Sequence, residues 1–306
     1  MLVLAVALFA CGSTGAGSLL PSTPPPSLAV PNSPLTQRAT PSVVATTTLA
    51  SCGAARDVRA LTPIHSFSVS PDDLAIDARG RLWVTARQAN QLIGLSGTGA
   101  SVSTQTVSGG PEGVASSGST LYVAQQDLNA IVAVTAPAHT VVTFPNHSAH
   151  AGIDGIAVDT IGERLLVPDS PTGQLFAVSL TAVAGPRLLA SGLGRPVAAT
   201  TDPSGNVFVA SEASPGLTEL SPSGARRSVG HFADLDEVVY HAGLLYVTEL
   251  DHRDVLAVDP STGAAVPVAV NLPAPQGLAV TSAGTLDIVD ATTNRLYSTP
   301  ACGRSS

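Results

Sequence analysis

The stretch that decides the fold is Ile153–Asp159 (IDGIAVD), followed after a short turn by Arg164–Asp169 (RLLVPD). Both halves are short and rich in aliphatic residues, with turn residues at their ends, which is typical of two antiparallel strands. The same arrangement returns at Pro275–Val280 (PQGLAV) and Thr285–Asp290 (TLDIVD). Self-similarity of this kind predicts a repeat architecture.

The repeat occurs six times between residues 71 and 297, with a spacing of 40 to 42 residues. The residues that anchor the copies are Asp72, Glu112, Asp154, Pro196, Asp236 and Gln276. This spacing is the length of a four-stranded propeller blade. Three residues after each anchor stands a small side chain, as expected where innermost strands crowd around an axis. No segment has a sustained helical period, so we predict an all-β, six-bladed β-propeller.

The sixth copy ends near Pro300 after its third strand, which leaves the last blade one strand short. We predict that the N-terminal segment Arg56–Leu61 supplies the missing strand. Cys52 and Cys302 lie on either side of the resulting chain break, so a disulfide between them would join the ends in an oxidising compartment. The alternative is two unpaired cysteines near the chain ends.

The first fifty residues lack the repeat. The apolar run Leu2–Ala10 is shorter than the roughly 20 residues that a membrane-spanning helix needs, and it is typical of a signal peptide. The following LFACGS resembles a bacterial lipobox, in which Cys11 would carry the lipid; an unmodified cysteine is the alternative. We expect a signal peptide over 1–10, a Pro/Ser/Thr-rich tether over 11–51 and the propeller over 52–306. The protein would then be exported, and either lipid-anchored on the outer surface of the cell membrane or secreted.

The net charge of −8 argues against a nucleic-acid partner, because phosphate binding needs clustered basic residues. Eleven of the 22 carboxylates fall in the turns before the first strands or after the second strands. Both kinds of turn lie on one face of a propeller, so we expect an acidic face at the channel mouth. Its residues are Asp72, Asp73, Glu112, Asp154, Asp169, Glu212, Asp236, Glu237, Glu249, Asp251 and Asp290.

Carboxylate oxygens are the ligands that Ca²⁺ prefers, so Glu112, Asp154 and Asp236 are candidate ligands for Ca²⁺ or another divalent cation. Ordinary turn chemistry is the alternative, since Asp favours turns by bonding its own backbone. Candidates for a general acid or base are His147 and His150 before blade three and His252 beside the acidic turn of blade five. Nucleotide, haem and zinc motifs are absent from the sequence.

Three motifs carry a resemblance to a known family: the Pro-x-Gly that opens copies such as Pro111–Gly113, the Gly80–Val84 type of second strand, and Asn294–Leu296. With these motifs the chain resembles the NHL-repeat propellers and their relatives of the gluconolactonase and streptogramin-lyase type. In the metal-dependent lactonases of this group, a Glu, two Asn and an Asp hold an ion in the channel. The resemblance implies such parts for Glu112, Asp154 and Asp236, but the asparagines have no counterpart here.

These observations favour a monomeric, non-catalytic recognition module that binds a protein, glycan or small ligand through the acidic face. Contact with the membrane would be through the lipid anchor only. The alternative is a metal-dependent hydrolase or lyase of the lactonase or streptogramin-lyase type. A third hypothesis is a structural protein of the cell envelope.

Overall fold

The computed structural model describes residues 49–135, 137–145, 152–181, 184–213 and 215–302. Within the unit Ala45–Ser306, these residues form six blades with four antiparallel strands each, one of which has a short fifth strand at its edge, so the prediction of a six-bladed β-propeller is confirmed. The tether and the sequence resembling a lipobox lie outside the described residues. None of the helices in the described part is long and apolar enough to span a bilayer.

The strands are given from the innermost to the outermost in each of the first three blades. Blade one comprises Leu74–Ile76, Leu82–Ala86, Gln91–Leu95 and Ser101–Thr106. Blade two comprises Pro111–Ser117, Thr120–Gln125, Ala130–Ala133 and His139–Thr143. Blade three comprises Ala157–Asp159, Arg164–Asp169, Gln174–Ser179 and Arg187–Ala190.

The remaining blades follow the same order. Blade four comprises Pro196–Thr201, Val207–Ser211, Leu217–Leu220 and Arg226–Ser228. Blade five comprises Leu235–His241, Leu244–Glu249, Asp254–Val258 and Ala265–Val270. Blade six comprises Pro275–Val280, Thr285–Asp290, Arg295–Pro300 and, from the N-terminal segment, His65–Ser66. Short 3-10 turns occur at Leu49–Cys52, Val58–Ala60, Arg87–Ala89, Gln126–Leu128 and Ser170–Thr172.

The N-terminal segment closes the ring, as predicted, but through a different strand. The fourth strand of blade six is His65–Ser66, which lies antiparallel to Arg295–Pro300. The backbone N–H groups of Ile64 and Phe67 extend this ladder, each with an N···O distance of 2.8 Å. The prediction that Arg56–Leu61 forms this strand is therefore wrong.

A local turn explains where Arg56–Leu61 goes instead. Its first two residues pair in parallel with the outer strand of blade five and make a fifth strand there. The chain then bends into a 3-10 turn, because the Asp57 carboxylate accepts the backbone N–H of Arg59 at 3.0 Å. Val58 is buried in the same turn. A strand cannot continue through this bend, so only the residues beyond it reach blade six.

Cys52 and Cys302 form a disulfide that joins residues 250 positions apart, as predicted. The backbone N–H of Cys302 donates to the hydroxyl of the buried Tyr246 at 2.8 Å. Both cysteines lie in the apolar cluster that fills the space between blades five and six, together with Val58 and Tyr297. The bond therefore fastens the segment before the first strand to these two blades.

The core lies between the blades. In the described part of the chain, buried apolar side chains form six clusters, one for each pair of neighbouring blades. Second strands such as Leu82–Ala86 and Leu244–Glu249 are buried along their whole length, because a blade packs on each of their faces. This explains why their sequences are continuous apolar runs rather than alternating ones.

A cavity of about 270 Å³ runs along the axis, lined by the innermost strands of all six blades. The small residues three positions after the anchors all line it, as predicted: Ala75, Ala115, Ala157, Ala199, Val239 and Ala279. The side chains of Asp73 and Glu237 also line this cavity. The channel along the axis therefore has apolar walls, and carboxyl groups lie at the end where the first strands begin.

Candidate functional site

The channel mouth is formed where the first strands begin. Four of the six anchors carry a carboxyl group there, Asp72, Glu112, Asp154 and Asp236. Each is partly buried, and each repels at least one of the other three electrostatically. The propeller therefore brings together four carboxyl groups that are about 40 or more residues apart in sequence.

A second pair of carboxyl groups lies one residue further along the first strands of blades one and five. Glu237 and Asp73 are hydrogen-bonded to each other through their side chains. Asp73 also accepts the backbone N–H groups of Leu74 at 2.6 Å and Val114 at 2.7 Å. Their interaction raises the pKa of Glu237 and lowers that of Asp73, so Glu237 is the partner that keeps the proton of the shared bond.

Two threonines that the sequence analysis missed hold this pair in position. The hydroxyl of Thr85 accepts the backbone N–H of Asp73 at 2.9 Å, and the hydroxyl of Thr248 accepts that of Glu237 at 2.8 Å. Both threonines are fully buried. The signal was present in the sequence, since only blades one and five have Thr at this position of the second strand and an acidic residue after the anchor.

Burial is the main cause that raises the pKa of each channel carboxyl group, and repulsion from neighbouring carboxylates adds to it for most of them. The pKa of Asp73 rises to about 6, that of Asp154 to about 7 and that of Asp72 to about 8. The pKa values of Glu112, Asp236 and Glu237 are also raised by burial and by neighbouring carboxylates. At neutral pH the mouth therefore holds protonated and ionised carboxyl groups side by side.

Two carboxylates in turns on the opposite face, Asp77 and Asp259, have lowered pKa values instead. Burial alone would raise the pKa of Asp77, but hydrogen bonds from Trp83 and Arg81 outweigh it and lower the pKa to about 2. The pKa of Asp259 is also lowered, because hydrogen bonds from Ser261 outweigh its burial. Turn chemistry therefore explains Asp77 and Asp259 but not the raised pKa values at the mouth. Carboxyl groups with strongly raised pKa values concentrate at functional sites.

Two arginines lie beside the acidic mouth. The Arg87 Nε atom is 3.0 Å from Glu112 Oε2, and its Nη2 atom is 3.1 Å from Asp127 Oδ1. Arg195 forms an ion pair with Glu212 and lowers the pKa of Asp154 electrostatically. The site therefore combines carboxyl groups with two guanidinium groups that can stabilise negative charge.

Other members of the predicted acidic face support the backbone of the turns. Glu249 accepts the N–H of Ala233 at 3.2 Å, and Asp290 accepts the N–H of Ala274 at 3.0 Å. In blade four the hydroxyl of Ser211 does the same for Arg195. Asp169, at the equivalent position of blade three, is buried. These residues end the second strands, whereas the channel carboxyl groups begin the first strands.

The structure describes one of the three predicted histidines, His252. His147 and His150 lie outside the described residues. His252 is exposed, and its Nδ1 atom is 2.9 Å from the Oε2 atom of the buried Glu249. This hydrogen bond is the main cause that raises the pKa of His252, and it leaves Nε2 directed away from Glu249.

The predicted calcium ligands do not fit a metal centre as they are placed. Glu112 is paired with Arg87, and Asp154 accepts a hydrogen bond from the hydroxyl of Ser170 at 3.1 Å. Among the residues that the structure describes, no group of three or more His, Cys, Asp or Glu side chains is arranged to hold a metal ion.

No protein-family model matches the chain, and no curated protein matches it by sequence. Solved structures share its fold at low identity. A gluconolactonase from Xanthomonas campestris is 15% identical, with a TM-score of 0.68 over 78% of this chain and 89% of that one. A streptogramin B lyase is 14% identical, with a TM-score of 0.57 over 74% and 77%. A chain of a nidogen/laminin complex is 18% identical, with a TM-score of 0.58 over 74% and 82%.

Proposed function

We propose that the protein is a hydrolase or lyase of the lactonase or streptogramin-lyase type, whose reaction takes place at the channel mouth. One observation carries the proposal: carboxyl groups converge there with pKa values raised to about 7 and about 8. Efficient general acids and bases have pKa values near the working pH. Two carboxyl groups in environments that separate their pKa values take the two opposite roles.

Asp154 is the base in this proposal. Burial raises the pKa of Asp154 to about 7, while the hydrogen bond from Ser170 opposes that rise. An ionised Asp154 can take a proton from water in hydrolysis, or from a carbon beside a carbonyl group in elimination. Ser170 is buried, and its hydroxyl oxygen also lies 2.7 Å from the Pro196 carbonyl oxygen. Its one proton is shared between these two acceptors, so Ser170 positions the carboxylate rather than taking part in proton transfer.

Asp72 is the acid. Burial, together with repulsion from Asp154 and Asp73, raises its pKa to about 8, so that it holds a proton at neutral pH. It can give that proton to the oxygen that leaves when the ester bond breaks. Arg87 and Arg195 stand at the same mouth and would stabilise the negative charge that develops on the carbonyl oxygen.

The structural neighbours support this class of reaction without specifying a substrate. Two of them are named as a gluconolactonase and a streptogramin B lyase. The third, from a nidogen/laminin complex, has the same fold in a protein–protein assembly, which is the observation that favours the non-catalytic alternative. Fold alone does not decide between them, whereas the mixed protonation states at the mouth favour catalysis.

The test is turnover of a panel of esters at pH 7: glucono-1,5-lactone, 4-nitrophenyl acetate and a streptogramin B. We expect turnover of at least one of them, and a loss of about 100-fold or more in kcat for Asp154→Asn and Asp72→Asn. Asp202→Asn is the matched control, because Asp202 accepts backbone N–H groups in a turn on the opposite face. Turnover that survives in the Asp154 and Asp72 variants would contradict the assignment. Binding without turnover, abolished by Asp154→Asn, would support a recognition module instead.

We also propose that the protein is exported, and tethered to the membrane by a lipid on Cys11 through residues 11–51. The resemblance of the sequence around Cys11 to a lipobox supports this, as does a disulfide between Cys52 and Cys302. Replacing Cys11 by Ala should move the protein from the membrane fraction to the soluble fraction of expressing cells. Membrane association that persists in this variant would overturn the tether.

A further inference from the structure

A second cavity lies on the face opposite the channel mouth, between blades three and four. Its volume is about 360 Å³. It is lined by the start of the outer strands Arg187–Ala190 and Arg226–Ser228, and by the turns that contain Gly205 and Gly224. Both glycines have positive φ angles and no side chain, so the two turns approach the cavity with backbone alone at these positions. The size is that of a small-molecule site.

Three arginines line this cavity, Arg164, Arg187 and Arg226, and no acidic residue lines it in the part of the chain that the structure describes. Arg164 is paired with the buried Asp159, with an Nε–Oδ2 distance of 2.7 Å. Arg226 donates to the carbonyl groups of Ser191 at 2.9 Å and Gly192 at 2.7 Å. These carbonyl groups fix the orientation of the guanidinium group but leave its charge uncompensated.

Arg187 differs from the other two. Among the described residues it makes no hydrogen bond or ion pair, and its side chain is exposed. A guanidinium group has five N–H donors in a planar fork that matches an oxyanion. Arg187 therefore has free donor capacity in a cavity with a positive charge, in a protein whose net charge is −8.

Part of the cavity lining is apolar. Leu189, Val207 and Leu220 contribute to it, and they belong to the cluster that packs blade three on blade four. Val207 and Leu220 are buried, and Leu189 is half-buried. A ligand that fits these surroundings has an apolar body against these side chains and an anionic group at the arginines.

We propose that this cavity binds a small organic anion, with its carboxylate on Arg187 and its apolar body over Leu189 and Val207. The site is separate from the channel mouth, because it lies on the opposite face and is formed by the outer parts of two blades. The two faces therefore differ in charge: carboxyl groups surround the axis on one, and arginines surround a peripheral cavity on the other.

The test is to measure the binding of naphthalene-2-carboxylate to the intact protein by calorimetry or saturation-transfer NMR. Naphthalene-2-carboxamide is the neutral probe of the same shape. We expect the carboxylate to bind about tenfold more tightly than the amide, and its affinity to fall as salt is raised. Arg187→Gln should weaken carboxylate binding about tenfold and leave amide binding unchanged.

Arg79→Gln is the matched control, because Arg79 is an exposed arginine in a turn of blade one on the same face. It should bind both probes as the wild type does. Since Arg187 is exposed, its variant should keep the wild-type melting temperature, and turnover at the channel mouth should be unaffected. Equal affinity for carboxylate and amide, undetectable carboxylate binding at millimolar concentration, or equal losses in the two variants would each overturn the proposal.

Discussion

Glu237 donates a hydrogen bond to the carboxylate of Asp73, although these residues belong to blades five and one. Blade six lies between them and has Gly277 at the equivalent position. A methyl group at Gly277 would lie 2.7 Å from the Asp73 Cα atom and 2.5 Å from the Leu74 nitrogen. The close approach of blades six and one thus depends on this glycine. It lets the carboxyl groups of Glu237 and Asp73 share one proton across blade six.

The free energy of unfolding should decrease as the pH rises from about 5 to about 8. The folded protein raises the pKa values of Asp73, Asp154 and Asp72 to about 6, 7 and 8, above those of an unfolded chain. In this range the folded state binds more protons than the unfolded state, so raising the pH favours unfolding. The opposite shift of Asp77, to about 2, affects stability only in stronger acid. Calorimetric melting across the pH range measures the slope, and a melting temperature that stays constant or rises would contradict it.

Glu237→Gln should remove part of this pH dependence. The amide of Gln can donate to Asp73 as the protonated Glu237 does, but it does not ionise. We expect a nearly unchanged melting temperature at about pH 5 and an increase at about pH 8, where the wild type must keep Glu237 protonated although the unfolded chain would ionise it. The increase should be about 2–4 °C for each ~1 kcal/mol of this cost. Glu163→Gln is the control, because Glu163 is exposed in a turn. Parallel curves for the variant and the wild type would disprove the shared proton.

Gly277→Ala should destabilise the propeller. Its methyl group would meet the backbone of blade one at distances that real side chains do not occupy, so the first strands of blades six and one would have to move apart. We expect a loss of about 1–3 kcal/mol in the free energy of unfolding. Gly185→Ala is the control, since its methyl group would meet no atom within 4 Å. Equal denaturation midpoints for the two variants would refute the close approach.

Reduction of the Cys52–Cys302 disulfide should destabilise the fold strongly. The bond closes a loop of 250 residues, for which the chain-entropy model gives about 5 kcal/mol. We expect a reducing agent to lower the melting temperature of the wild type to that of the Cys52→Ser/Cys302→Ser double variant. The double variant should not respond to the reducing agent, which makes it the control. Free thiols at both positions in the oxidised protein, found by mass spectrometry of a digest, would contradict the bond.

The sequence by itself determined the blades. A repeat of 40 to 42 residues, small residues at the channel-lining positions and apolar second strands are local patterns, and the structure has all of them where they were predicted. The pairing of Cys52 with Cys302 was also predictable, because ring closure brings the two ends of a propeller together. Which N-terminal residues close the ring was not, since the choice of His65–Ser66 depends on the 3-10 turn that Asp57 stabilises.

Only the tertiary structure decided which carboxyl groups act together. The sequence placed Asp290 and Glu249 on the same acidic face as Asp72 and Asp154, but the first two accept backbone N–H groups of the turns. It likewise gave no reason to group the arginines of blades three and four into one cavity. Hydrogen bonding and burial set the pKa of a carboxyl group, and both depend on how blades distant in sequence pack. A repeat pattern specifies the strands within a blade, whereas the ring decides which side chains of different blades meet.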